Sequence, residues 1–252
     1  MSFAVPAEAY DRFMGVHSRQ LAPQLVDLAR LSPDARVLDV GCGPGALTTE
    51  LVTRFGARSV AAVDPSESFV AAARERHPGV DVRRATAEAL PYADRAFDAA
   101  LAQLVVHFMT DPVAGLREMA RVTRPEGVVA ACVWDHAGER TPISTFWRAT
   151  RDLGFATQDE SALAGGREGH LVELFKTSGL RHVEEAVLVA RVEYSSFDGW
   201  WEPITFGVGP AGARYIASSP DERARLRKRC QELLPPTSFE LVSFAWAARG
   251  MV

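Results

Sequence analysis

The sequence predicts an α/β fold: a doubly wound, mostly parallel seven-stranded sheet with an N-terminal helix and a helical insertion before the last strands. Short apolar runs alternate with segments of helical period between residues 36 and 134, and the first run ends in a glycine cluster. Beyond residue 135 a mostly helical stretch contains one long extended segment and leads to another. Taken in order, Leu21, Leu25, Leu28 and Ala29 recur at helical spacing ahead of Pro33, and the run 36–40 then stops at Gly41. Next come a helix over 46–55, a strand over 59–63, a helix over 67–76 and a strand over 80–84. After a loop containing Pro91 the pattern gives a strand over 97–102, a helix over 113–122 and a strand over 128–134. Alternation of this kind requires right-handed crossovers and a parallel sheet covered on both faces. Later helices are expected over 143–153, 171–177, 197–206 and 221–234, with extended segments over 183–194 and 239–248. The reading is one domain over 1–252: a helical cover (1–35), a cofactor-binding core (36–135), a mostly helical insertion or lid (136–236) and a last strand (237–252).

Hydrophobic residues make up 47% of the 252 and charged residues 24%, a composition that supports a packed core and not disorder. The net charge is -4 and the basic residues are scattered, which argues against a nucleic-acid partner. The longest stretch free of Asp, Glu, Lys and Arg, Ala99 to Thr110, falls well short of the roughly 20 apolar residues of a membrane span. Glu8 and Asp11 near the start, with no basic opening before an apolar block, argue against a secretory leader. The expectation is a cytoplasmic protein without a membrane partner. Cys42, Cys132 and Cys230 are odd in number and widely separated, so neither a disulfide framework nor a metal cluster is expected.

The strongest chemical signal is Val37-Leu38-Asp39-Val40-Gly41-Cys42-Gly43-Pro44-Gly45, a buried strand that ends in alternate glycines and opens into a helix. Glycines at such a turn let a ligand approach the backbone, and the helix N-terminus behind them favours negative charge, so a nucleotide-like cofactor is implied. With Ala46 the string also fits the dinucleotide pattern G-x-G-x-x-[GA], which keeps an NAD-dependent oxidoreductase as the alternative enzyme. A non-catalytic cofactor-binding or regulatory protein is the alternative from another class.

Asp39, the three glycines and their flanks resemble the first motif of class I S-adenosylmethionine (SAM) methyltransferases. The resemblance continues through Asp64-Pro65 at the end of the next strand, and through Ala85-Thr86-Ala87-Glu88-Ala89-Leu90-Pro91 followed by Phe97-Asp98. Tyr10-Asp11-Arg12-Phe13-Met14-Gly15, followed by Ser18-Arg19, resembles the N-terminal helix of the ubiquinone-biosynthesis-like, small-molecule branch of that family. Trp200-Trp201-Glu202-Pro203 and the segments 207–212 and 245–250 resemble the same branch.

The resemblance implies a Rossmann-like methyltransferase fold, SAM as cofactor with S-adenosylhomocysteine as product, and a small organic methyl acceptor. It implies cofactor contacts from Tyr10, Met14, Ser18, Arg19, Asp39, Gly41, Cys42, Gly43, Gly45, Asp64, Pro65, Thr86, Ala87, Glu88, Gln103 and Leu104. Asp64 stands where the family puts an acid on the ribose. Thr86 departs from the pattern, standing where an Asp commonly takes the adenine amino group, with Glu88 as the other candidate. Arg19 is the candidate partner of the methionine carboxylate.

Phe197, Trp200 and Trp201 share one helical face, which either packs into core or walls a substrate site. Trp200, Trp201 and Phe206 are accordingly the candidate acceptor-pocket residues. His107, and less so His17, are the candidate bases. No G-x-S-x-G elbow, H-E-x-x-H string or Asn/Asp-Pro-Pro-Tyr string is present. Arg223, Arg225, Arg227, Lys228 and Arg229 are interleaved with acids, as on a solvated helix face.

Overall fold

The computed structural model describes residues 7–155 and 160–252. One seven-stranded sheet runs β3-β2-β1-β4-β5-β7-β6. Its strands are β1 (Val37–Val40), β2 (Val60–Asp64), β3 (Asp81–Arg84), β4 (Phe97–Gln103), β5 (Thr123–Trp134), β6 (Arg181–Tyr194) and β7 (Phe239–Met251). Strands β1 to β5 are mutually parallel, and β7 runs antiparallel between β5 and β6. The chain builds outward from β1 to β3, then returns to build the other half from β4, so strand order reverses between β1 and β4. Open α/β sheets bind ligands beyond the carboxyl ends of the strands at such a point. Asp39 pairs in register with Ala62 on one side and Leu101 on the other, which brings the Gly41 turn, Asp64 and Gln103 to one edge of the sheet.

Each face is closed by helices whose apolar stripes match the two-residue period of the strands. On one face Leu21 and Leu25 of α2 (Val16–Ala29), with Leu47 and Leu51 of α3 (Ala46–Phe55), pack against Val37, Val60, Ala99 and Leu101. On the same side α4 (Glu67–Arg76) lays Val70 and Ala73 on Ala62 and Val82. On the other face Leu116 and Met119 of α5 (Pro112–Val122), with Leu171 and Phe175 of α7 (His170–Thr177), cover Leu38, Val40, Ala100 and Val129. Asp111 caps α5 by accepting from Ala114 N at 3.0 Å, and Pro112 stands in the first turn, where a missing N–H costs nothing.

A third core forms a cap. Phe146 and Trp147 of α6 (Ser144–Asp152), Trp200 and Trp201 of α8 (Phe197–Trp201), Ala211 of α9 (Gly209–Ala217), and Leu226 and Cys230 of α10 (Pro220–Leu233) bury one another. Phe13 joins them from the N-terminal helical segment, which runs as α1 (Ala7–Tyr10), a π-turn (Asp11–Gly15) and then α2.

Three expectations change. The helix expected over 197–206 stops at Trp201 and tightens into a 3-10 turn, Glu202–Phe206, because Pro203 supplies no N–H. Helix α9 was not expected from Gly-Pro-Ala-Gly, yet Pro210 stands in its first turn, and a Cβ on Gly212 would lie 2.5 Å from the carbonyl carbon of Gly207. Strand β5 begins at Thr123, five residues earlier than the pattern around Pro125 and Gly127 suggests, with its register to β4 shifted between Phe97 and Ala99.

The outer strand β6 does not present its edge freely where α2 crosses it. Gln24 donates to the carbonyl of Val189 at 2.8 Å and accepts from its amide at 3.0 Å, and Gln20 makes the same pair of bonds to Arg191. Two glutamines one helical turn apart thus do what a neighbouring strand would do. Gln24→Leu removes both bonds at Val189 and should cost about 1–3 kcal/mol, read as a melting temperature several degrees lower. An unchanged melting temperature would show that the clamp carries no stability.

Candidate functional site

The turn after β1 is stitched to the end of β2. The amides of Gly41 and Cys42 both donate to the carbonyl of Val63, at 2.8 and 2.9 Å, and the amide of Gly43 donates to Asp64 Oδ2 at 2.9 Å. Asp64 Oδ1 accepts from the amide of Ser66 at 2.8 Å, so the carboxylate is fixed on both oxygens. Gly41 (φ +73°) has no room for a side chain, since a Cβ would lie 2.4 Å from Val105 Cγ2. Gly43 (φ +53°) has nothing within 4 Å of where a Cβ would sit. It borders a cavity of about 840 Å³.

Ten of the sixteen proposed cofactor residues line that cavity: Tyr10, Gly41, Gly43, Asp64, Pro65, Thr86, Ala87, Glu88, Gln103 and Leu104. Burial raises the Asp64 pKa, and the Ser66 and Gly43 amides pull it back. Glu88 Oε1 accepts from the amide of Thr110 at 2.7 Å, which ties that wall together, while Thr86 is exposed toward the cavity. Gln103 donates to the carbonyl of Ser18 at 3.0 Å, and its buried Oε1 has no hydrogen-bond partner. Leu104, at φ +61°, takes a backbone conformation that costs a branched side chain energy.

The remaining candidates lie elsewhere. Asp39 is buried beneath the turn, with Oδ2 accepting from Thr48 Oγ1 at 2.6 Å and Oδ1 without a partner. Burial, set against that hydrogen bond and reinforced by the charge of Asp64, pushes its pKa up to about 7. Cys42 packs against Ala62 and Val70, and burial holds its thiol well above the usual range. Ser18 is buried but borders neither cavity, and Gly45 heads α3. Arg19 is exposed on the helix surface beside Asp11 and Gly15 and does not border the cavity.

Met14 lines a smaller chamber of about 40 Å³ that shares Tyr10, Leu104 and Phe108 with the large cavity. His107 lines it too. The ring of His107 lies 5.3 Å from that of His136, its Nδ1 is buried without a partner, and burial, with the neighbouring His136, lowers its pKa well below 6.5. His17 borders neither cavity; its Nε2 is 2.9 Å from the Tyr194 hydroxyl and burial lowers its pKa to about 4.

The aromatic candidates line neither cavity. Trp200 and Trp201 are buried in the cap core, with Trp200 Nε1 donating to the carbonyl of Pro142 at 3.0 Å, and Phe206 lies under the guanidinium of Arg12. The chamber is walled by the next segment, Val208 to Ala211, together with Phe13, Ile143, Trp134, His136 and Glu160. Sequence reasoning missed His136 although it follows β5 as His107 follows β4. It also missed Ser66, Ser68, Phe69 and Met109 in the large cavity. Among the described residues no group of three or more His, Cys, Asp or Glu side chains is disposed to hold a metal ion.

A sheet of this order, with a glycine turn and an acid at the end of β2, agrees with the fold that the sequence resemblance implies. Residues 38–131 match the family described as "Methyltransferase domain". The chain is 37% identical over 135 residues to a malonyl-[acyl-carrier protein] O-methyltransferase of Halorhodospira halophila, covering 51% of this chain and 45% of that protein. It is 41% identical over 100 residues to a ubiquinone biosynthesis O-methyltransferase of Parvibaculum lavamentivorans, covering 38% of this chain and 39% of that one. The matches thus span about half or less of these curated relatives. In fold it resembles a SAM-dependent methyltransferase, a possible histamine N-methyltransferase, of Thermotoga maritima, with a TM-score of 0.57 at 21% identity over 97% of this chain and 95% of the other. Residues 38–131, less than half of the chain, are thus similar to a methyltransferase domain, and the likeness to the SAM-dependent methyltransferase is one of fold.

The buried Asp39 gives a pH signature. Its pKa is about 7 folded against 3.8 unfolded, so the folded state holds the extra proton between those values. Stability is full below about pH 4, falls as pH rises through 7, and the loss reaches up to about 4 kcal/mol. Asp39→Asn should flatten that part of the curve, measured by urea unfolding at pH 5 and pH 8; parallel curves for the two proteins would contradict the assignment.

Proposed function

We propose that the chain transfers a methyl group from SAM to a small organic acceptor by in-line displacement, releasing S-adenosylhomocysteine. The observation that carries the reading is the pair of cavities at the switch point that share Tyr10, Leu104 and Phe108, a large one against the glycine turn and Asp64 and a small one beyond Leu104. The residues fit the cofactor: the open space at Gly43 admits a ligand to the backbone, and Gln103 in the cavity wall keeps a buried oxygen without a partner. Asp64 holds the ribose hydroxyls, since each carboxylate oxygen takes one amide and retains a lone pair. Thr86 and Glu88 face the adenine, and the Gln103 oxygen serves the methionine ammonium. Arg19 reaches the methionine carboxylate only if the N-terminal segment shifts.

When bound, SAM supplies a methyl group already activated by its sulfonium. The protein's work is alignment and exclusion of water by Tyr10, Leu104, Phe108 and the cap. For a hydroxyl acceptor His107 takes the proton. Burial keeps its imidazole neutral at pH 7, so any turnover limb due to His107 lies in the acid range, with activity lost as pH falls through that depressed pKa. Among the described residues no helix is long and apolar enough to cross a membrane, and the three cysteines are free, which supports a cytoplasmic setting.

At 100 times its dissociation constant, SAM or S-adenosylhomocysteine should stabilise the chain by about 2.7 kcal/mol, a rise of roughly 5 to 11 °C in Tm. A rise with NAD and none with SAM would overturn the reading in favour of an oxidoreductase. Asp64→Ala should weaken S-adenosylhomocysteine by about tenfold or more, and Gly43→Val should abolish binding by filling the approach to the turn, both read by calorimetry. Once an acceptor is found, His107→Gln with wild-type rate and pH profile would eliminate the base.

A further inference from the structure

The N-terminal segment reaches both cavities through an irregularity in its own helix. Between α1 and α2 the chain makes a π-turn, Asp11–Gly15, which takes one residue more than an α-turn. Tyr10 therefore stands about 100° from where an unbroken α-helix would put it. In that setting Tyr10 lines both cavities, and Phe13 and Met14 line the chamber. Asp11, the first residue of the turn, supplies a contact outside the helix. Its Oδ2 lies 2.6 Å from Arg76 Nη2 at the end of α4, and the same guanidinium donates from Nη1 to the carbonyl of Pro44 at 3.0 Å. One side chain thus holds the π-turn and the glycine turn at once. Gly15 makes room for the carboxylate, since a Cβ there would lie 3.0 Å from Asp11 Oδ1. The next residue, His77, lies against Gly45, where a Cβ would come within 2.6 Å of its Nε2.

Arg76 lines neither cavity, so it acts on a bound ligand only through Pro44 and Asp11. We infer that Arg76 is a positioning residue that keeps the Tyr10 end of the N-terminal segment closed over the cofactor, in fixed register with the glycine turn. The inference rests on the methyltransferase reading for the identity of the ligand and goes beyond it, since it assigns the contact that closes the site. The ion pair is partly exposed on both sides and adds little to the stability of the fold. Its effect falls instead on the fraction of molecules whose segment is closed, and the apparent dissociation constant rises as that fraction falls.

The test measures S-adenosylhomocysteine binding to the full chain by calorimetry, and amide exchange over residues 10–15 by mass spectrometry. Arg76→Gln and Asp11→Asn should each weaken S-adenosylhomocysteine by about three- to tenfold and speed exchange over 10–15. Each should leave the melting temperature of the ligand-free protein within about 2 °C of wild type. The double variant should bind like Arg76→Gln alone, because both changes remove one contact. Arg12→Gln, which removes the exposed pair with Glu202 from the same turn, should stay within about twofold of wild type. Wild-type affinity and exchange in both single variants overturn the inference. So does an additive double variant, or an equal loss in Arg12→Gln, which would make every charge on the segment a tether. A lower melting temperature with unchanged affinity gives Arg76 a purely structural role and overturns it too. Failure of S-adenosylhomocysteine to bind the wild type sinks the methyltransferase reading instead, and exchange over 10–15 in the ligand-free variants still decides whether Arg76 holds the turn.

Discussion

Three consecutive amide protons, those of Gly41, Cys42 and Gly43, are all directed at two residues at the end of β2. This stitch joins the two strands on which the large cavity rests. It holds the turn in a left-handed conformation at Gly41 and Gly43, and it turns the Asp64 carboxylate toward the cavity with the Ser66 amide as its second anchor. A side chain at Gly41 would strike Val105, the residue after Leu104, so the glycine turn and the exit of β4 fit together at a contact with no slack. The two sides of the switch point are therefore set by one local geometry, and the helices serve mainly to keep the strands in register beneath it.

Much of this was legible in the sequence because the relevant signals are local. The run Val37 to Val40 followed by alternate glycines can hardly be anything but a buried strand entering a tight turn, and α3 and α4 fall on the expected residues, Ala46–Phe55 and Glu67–Arg76. Asp64 could be placed because it ends the next apolar run. The cap was less legible. The face formed by Phe197, Trp200 and Trp201 carries the same periodicity whether it buries against α6 and α10 or walls a pocket, and only the tertiary partners distinguish these. The chamber wall comes instead from Val208 to Ala211, a Gly-Pro-rich stretch that reads as loop. Arg19 illustrates the same limit at one residue: helical phase gives a direction only once the π-turn at Asp11–Gly15 is known, because that turn rotates Tyr10 relative to α2.

The N-terminal segment also shows how exposed polar contacts join elements that share no core. Asp11 pairs with Arg76, which also donates to the carbonyl of Pro44 in the glycine turn, and Arg12 pairs with Glu202 of the cap and lies over Phe206. Such pairs are each worth little in water, so the segment is held mainly by Phe13 and Met14 against the cap and by Leu21 and Leu25 against the sheet. A segment fastened by a few apolar contacts at one end and a full helix at the other can open locally at the weaker end without dissolving the core.

The site concentrates features that oppose stability. Asp39 Oδ1, Gln103 Oε1 and His107 Nδ1 are buried without hydrogen-bond partners, and Leu104 holds a positive φ, all at or just beyond the carboxyl ends of β1 and β4. Buried polar atoms are almost always paired in folded proteins, so three unpaired ones and one positive φ close together set these strand ends at a cost in stability. The same sheet away from this edge is densely packed, with Leu38, Leu101, Leu116 and Phe175 fully buried. At the end of β4 a ligand that donates to Gln103 would satisfy its buried oxygen without rearrangement of the core beneath.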